Sequence, residues 1–153
     1  MTEVGMRRQE RTREQDARIL PWPVEEETDV VAVDTTWGKL QPLQAAPGVR
    51  TVGELELIAE DAVLVDCRTP GTFGGHTIPE SVLLPHTTIL EHRDELDPQR
   101  LAILFCNGPQ CPQSPDAIRQ LVEAGYPADA LAYYRGGMHD WVTLAMPTQS
   151  RIG

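Results

Sequence analysis

Two of the chain's three cysteines lie in one stretch, "ILFCNGPQCPQSP", from Ile103 to Pro115. The stretch begins as an apolar run suited to a buried strand, which ends at Cys106. A Gly-Pro turn leads to Cys111, and Ser114 then precedes Pro115, the chemistry of a helix start. A cysteine so placed can serve as a nucleophile. Its reactive form is the thiolate, and two local features favour that anion. The loop through Asn107, Gly108, Pro109, Gln110, Cys111, Pro112, Gln113 and Ser114 can turn backbone N–H groups inward as an anion nest. The helix beginning near Ser114 aims its positive end at the same loop, and Gly108 permits a tight turn. Such a cradle suits a thiolate, a persulfide or a bound oxyanion. A buried, inert strand-end cysteine is the plainer alternative, and local pattern alone leaves both open.

Cys111 has two readings. It packs the loop, or it is a second thiol that attacks a modified Cys106 and closes a disulfide. A zinc site would need a second ligand pair, and no metal is expected. Cys67, within the apolar run "AVLVDC", reads as core. Trp141 reads as a core anchor by its helical spacing from Met138 and Leu144. His86, His92 and His139 have no evident partner pattern.

The elements that must hold these residues alternate. "VVAV" (Val30 to Val33), "AVLVDC", "VLL" from Val82, "LAILF" and "ALAYY" read as strands. "TVGELELIAE" reads as a short helix, with Thr51 and Glu54 at capping-box spacing and Leu55, Ile58 and Ala59 as its apolar face. "TTILEHRDELD" reads as another, with Thr88 and Glu91 at that spacing. "SPDAIRQLVEAG" is the clearest helix. Ser114 suits its N-cap, Pro115 its first turn and Gly125 the residue past its end, with Ile118, Leu121 and Val122 as the buried stripe. "GGMHDWVTLA" closes the series. Continuous apolar strands alternating with helices predict an α/β domain, its mainly parallel sheet covered on both faces. Sites in such sheets lie beyond the carboxyl ends of the strands, where Cys106 sits.

The chain's 153 residues suffice for one domain with a real core. Residues 1–28 read as a flexible charged N-terminal extension and 29–153 as the folded domain. A net charge of −10 argues against nucleic acid or an anionic membrane as partner. Three cysteines are too few for a secreted disulfide scaffold. No apolar stretch approaches transmembrane length, and the N-terminus lacks the apolar segment of a secretory signal. The expected location is the cytoplasm, with the cysteines as thiols.

From about residue 49 to 149 the chain resembles a single rhodanese domain. "LVDCRTPGTFGGHTIPESVLLP" is similar to that family's first signature, carried here by Asp66, Arg68, Gly75, His76, Ile78 and Pro79, with Thr77 inserted. "YYRGGMHDW" followed by "AMP" resembles the closing segment, and "ILFCNGPQC" stands where the family keeps its catalytic cysteine. The resemblance implies a three-layer fold and a thiosulfate sulfurtransferase-like enzyme. Cys106 would take a sulfane sulfur from a small-molecule or protein-bound donor and pass it to a thiol or cyanide, through a covalent persulfide and with no cofactor. Asp66 and Arg68 would brace the site, and His76 would order its loop. Many such loops carry basic residues, but this one has none, leaving Arg68, Arg119 and Arg135 as candidate anion contacts. Related phosphatases need an arginine six positions after their cysteine, where this chain has Pro112, which argues against phosphoryl chemistry. Two other readings stay open: a Cys106–Cys111 redox or sulfur-sensing module, and a non-catalytic interaction domain of the same fold.

Overall fold

The computed structural model describes residues 40–70 and 75–150. The strand expected at Val30 to Val33 and the extension at 1–28 lie outside the described residues. Five strands form a parallel sheet: β1 (Arg50–Thr51), β2 (Val63–Asp66), β4 (Val82–Leu83), β5 (Ala102–Phe105) and β6 (Leu131–Tyr134). Their spatial order is β1-β6-β5-β2-β4. A separate antiparallel pair joins β3 (His76–Thr77) to β7 (Gln149–Ser150).

The apolar runs follow from burial on both faces. Along β5, Ala102 and Leu104 join a core that includes Val65, Ile89, Ala117, Ile118, Leu121 and Tyr133. Ile103 and Phe105 join the opposite core with Leu57, Ala132, Tyr134, Met138 and Trp141. Period-two alternation thus sends neighbouring residues into different layers, so every position must be apolar. One layer carries α2 (Gln113–Glu123) and a 3-10 segment, Ile89–Glu95; the other carries α1 (Glu54–Ala59) and α3 (Gly137–Thr143). This is the expected three-layer α/β architecture.

Several local expectations are corrected. Thr51 does not cap α1 but lies in β1, and Gly53 stands at the cap, its N–H bonded to the Glu56 carboxylate at 2.9 Å. Leu57 is the residue α1 buries, whereas Leu55 and Ile58 are 76% and 60% exposed. A six-residue helix has room for little more than one inward position, so a three-residue stripe overstates its contact. The segment after Thr88 is 3-10 rather than α-helical, kinked at His92, and the Thr88 side chain makes no cap bond.

α2 also starts earlier than expected. Pro112 holds the cap position, its carbonyl accepting Asp116 N–H at 2.9 Å, so Ser114 and Pro115 are the second and third helical residues. At the other end Gly125 takes φ +97°, donating to Val122 O while Tyr126 donates to Leu121 O. That is the left-handed stop the glycine predicts. Of the expected stripe, Ile118 and Leu121 are buried and Val122 packs at its margin.

The histidines do have partners. His86 Nδ1 lies 2.7 Å from the Asp116 carboxylate, His92 Nδ1 3.1 Å from Glu95 and His139 Nδ1 3.3 Å from Asp140. Trp141 is the core anchor expected, meeting Tyr134 edge to face and donating Nε1–H to Pro147 O.

Candidate active site

β2, β5 and β6 end side by side at Asp66, Phe105 and Tyr134. Cys106 is the first residue past β5. Its carbonyl accepts Met138 N–H at 2.9 Å, and the Asn107 carbonyl accepts His139 N–H at 2.8 Å. The start of α3 therefore pins the beginning of the loop. The approach requires Gly137, which has φ +58°. A Cβ there would fall on Cys106 O and come within 2.8 Å of Gly108 N. Gly137 thus serves close contact with the cysteine loop, whereas a Cβ at Gly136 would meet the Asp140 side chain.

The loop proper spans Asn107 to Pro112, because Gln113 and Ser114 belong to α2. Cys111 N–H closes a turn onto Gly108 O at 3.0 Å. Cys106 Sγ accepts Ser114 N–H at 3.2 Å, lies 3.1 Å from Ser114 Oγ and 3.4 Å from Cys111 O. Ser114 was legible as a cap residue. Its hydroxyl and amide instead meet the sulfur, a role with the same sequence signal. The expected convergence of a helix start on Cys106 is present, with 2% of each loop cysteine exposed.

Behind the loop stands a buried brace. Arg68 donates from Nε to Asp66 Oδ1 at 3.0 Å and from Nη2 to Asp66 Oδ2 at 2.8 Å. Nη1 reaches Asn107 Oδ1 at 3.0 Å, and Nη2 also reaches His76 O at 2.6 Å. Thr77 Oγ1 adds a bond to Asp66 at 2.8 Å and a contact with Ser81 Oγ. The two parallel N–H···O bonds to Asp66 are the strong, directional mode of an arginine. His76 orders its segment through its main-chain carbonyl, while its ring side is exposed. Thr77 and Asn107 were missed as members of this network. Asn107 is 39 positions from Arg68, and no local pattern connects them.

The other arginines hold a different segment. Arg135 donates from Nε and Nη2 to Gln41 O at 3.1 and 2.8 Å, and Arg119 Nη1 reaches Ala45 O at 3.5 Å. Gln41 N–H in turn bonds Pro109 O at 2.8 Å. Gln41 thus joins the cysteine loop, and two of the three candidate anion contacts hold the segment 41–45. On β6, the Tyr133 hydroxyl is buried without a partner among the described residues, in the same layer as Leu104.

Electrostatics divides the cysteines. Burial drives the Cys106 thiol well above its ordinary range, and the neighbouring Cys111 adds to the rise, against the pull of Ser114. Cys111 falls to about 6, chiefly through a hydrogen bond from Cys106, helped by Gln113 and Asn107 N–H and by the field of Arg68. The cradle was expected to hold a Cys106 thiolate. The two shifts belong to the pair and run in opposite directions, Cys106 upward and Cys111 downward. Cys67 is fully buried and also raised, first by desolvation, as a core thiol should be.

A titration should display this division. Because the Cys111 pKa is lowered, its charge is present above about pH 6 and lost below it. Thiolate ultraviolet absorbance should therefore rise in one step near that pH. Cys106→Ala should move the step toward ordinary thiol values, and Cys111→Ala should remove it from the neutral range. A step unchanged in Cys111→Ala contradicts the assignment.

Among the described residues, no cluster of three or more His, Cys, Asp or Glu is arranged to hold a metal ion, and no helix is long and apolar enough to cross a membrane. The family model of the rhodanese-like domain matches residues 51–144. No curated protein matches the sequence. Among solved structures, a Bacillus halodurans protein superposes with TM-score 0.56 at 18% identity, covering 66% of this chain and 77% of its own. The rhodanese-like domain of an Anabaena protein gives 0.52 at 21%, covering 64% and 72%. A thiosulfate sulfurtransferase from Pseudomonas aeruginosa gives 0.55 at 22%, covering 67% of this chain but 20% of that one. At these identities the likeness is one of fold.

Proposed function

Because the chain belongs to the rhodanese-like domain family, we propose that it is a sulfurtransferase whose Cys106 carries sulfur as a persulfide. The observation that supports this reading best is the convergence on Cys106 Sγ of the Ser114 amide and hydroxyl at the start of α2. A core cysteine needs no such donors, whereas a sulfur that alternates between thiol, thiolate and persulfide does.

In this reading, Cys106 first gives up its proton to the medium and keeps the Ser114 N–H on its sulfur. The freed Cys106 thiolate attacks the sulfane sulfur of a donor such as thiosulfate or a small-molecule or protein persulfide. The donor's remaining group leaves with the bonding electron pair, and the sulfane sulfur stays on Cys106. An acceptor thiol or cyanide then attacks the outer sulfur and regenerates the Cys106 thiolate. Asp66 and Arg68 position the loop through Asn107 rather than touching the sulfur. The reaction needs thiols, so the reading includes a reducing, cytoplasmic location; all three cysteines are free. The test is sulfur uptake. The reduced protein is treated with thiosulfate or glutathione persulfide, freed of excess reagent and weighed intact. One sulfur per chain is expected, found as added mass or as hydrosulfide released after loading, and neither from either donor would overturn the proposal.

A further inference from the structure

The loop holds a second thiol that the transfer cycle does not use. Cys106 and Cys111 flank the turn closed by Cys111 N–H and Gly108 O, and Cys106 Sγ lies 3.4 Å from the Cys111 main-chain oxygen. Both are 2% exposed. A persulfide on Cys106 has two electrophilic sulfurs. External acceptors reach the outer one. The inner one, Cys106 Sγ, stays enclosed by Ser114 and the loop, with the Cys111 main chain 3.4 Å away. An intramolecular attack from a preset position gains a large effective concentration over any thiol from solution.

We propose that Cys111 is a resolving thiol that attacks Cys106 Sγ of the persulfide, so that this site reduces sulfane sulfur to hydrosulfide with a dithiol as final electron donor. The inference rests on the reading of Cys106 as sulfur carrier and names a second fate for the sulfur. The Cys111 thiolate forms a bond to Cys106 Sγ, and the bond from Sγ to the outer sulfur breaks. Hydrosulfide leaves with that electron pair. The two cysteine sulfurs are each oxidised by one electron and the sulfane sulfur is reduced by two, leaving a Cys106–Cys111 disulfide. A dithiol then reduces the disulfide by exchange, becoming a disulfide itself and restoring both thiols. Gln113 and Asn107 N–H support Cys111 in its anionic form, and Arg68 adds its field. The five-residue separation and the Gly108–Pro109 turn bring the two residues together without any long-range movement.

The experiment loads the reduced full chain with glutathione persulfide, removes excess reagent under anaerobic conditions, and follows hydrosulfide and intact mass together. The wild type should release one hydrosulfide per chain and finish two hydrogens lighter than the reduced protein. Peptide mapping should find a Cys106–Cys111 disulfide, and dithiothreitol should restore the starting mass. Cys111→Ser should retain the added sulfur and release hydrosulfide at least about tenfold more slowly. If the wild type keeps its persulfide as long as Cys111→Ser, the resolving role is overturned and the carrier reading stands. If neither protein gains sulfur or releases hydrosulfide, the carrier reading falls and takes this inference with it. A disulfide mapped to Cys67 also overturns the resolving role. Should Cys111→Ser load poorly, the mapped wild-type disulfide and its hydrosulfide yield decide the matter alone.

Discussion

Cys106→Ser should lose sulfur transfer by roughly 10,000-fold or more, because the covalent route disappears with its nucleophile. The variant should still fold. Serine is nearly the same size, and its oxygen can take up the Ser114 N–H that the sulfur accepts now. The loop anchors, Met138 N–H on Cys106 O and His139 N–H on Asn107 O, are main-chain bonds and survive the change. A correctly folded, inactive protein is therefore the expected outcome, checked by steady-state sulfur transfer alongside thermal melting. Transfer within tenfold of wild type would mean that another group carries the sulfur.

The second large effect concerns stability. Arg68→Ala should destabilise the domain by about 3–5 kcal/mol, the cost of stranding one member of a buried ion pair. Asp66 is 0% exposed and Arg68 only 3%. Without the guanidinium, Asp66 keeps Thr77 Oγ1 and the Arg68-position amide but has no cation. The Asn107 and His76 oxygens lose a donor at the same time. For a domain of this size the melting temperature should fall on the order of 10–20 °C. Arg68→Lys should recover little of it, since one ammonium cannot reproduce the fan of bonds to Asp66, Asn107 and His76. A loss below about 1 kcal/mol in denaturant unfolding would show that the pair is not the brace of this loop.

These two predictions rest on parts of the chain that differ in how readable they were. The central strands were plain in the sequence, because a strand buried on both faces must be apolar at every position, and "LAILF" and "ALAYY" are. The stop of α2 was equally plain, since Gly125 supplies the positive φ that ends it. The position of Cys106 followed from both: an apolar strand on one side and a helix start on the other. What the sequence hid was non-local or ambiguous. Ser114 carries the same signal whether it caps a helix or holds a sulfur. Arg68, Asn107 and Thr77 meet only once β2, β5 and β3 are assembled. Leu55 and Ile58 look like a buried face by spacing, but a short helix packed through Leu57 leaves them in solvent.

The charge on the cysteine pair was likewise out of reach of sequence. A helix start and inward amides argue for a Cys106 thiolate, and both are present. Complete burial opposes them and raises the Cys106 thiol, while Cys111 is lowered. Arg119 and Arg135 were legible as cations, but their engagement with the 41–45 segment depends on where that segment runs.

The most direct test of the central claim is where the sulfur resides. The Cys111→Ser protein, loaded with glutathione persulfide, is alkylated to trap persulfides and digested, and the peptides are weighed. The account predicts one added sulfur on the peptide bearing Cys106 and none on that bearing Cys67. Sulfur on Cys67, or a loaded protein whose Cys106 remains a plain thiol, would contradict it.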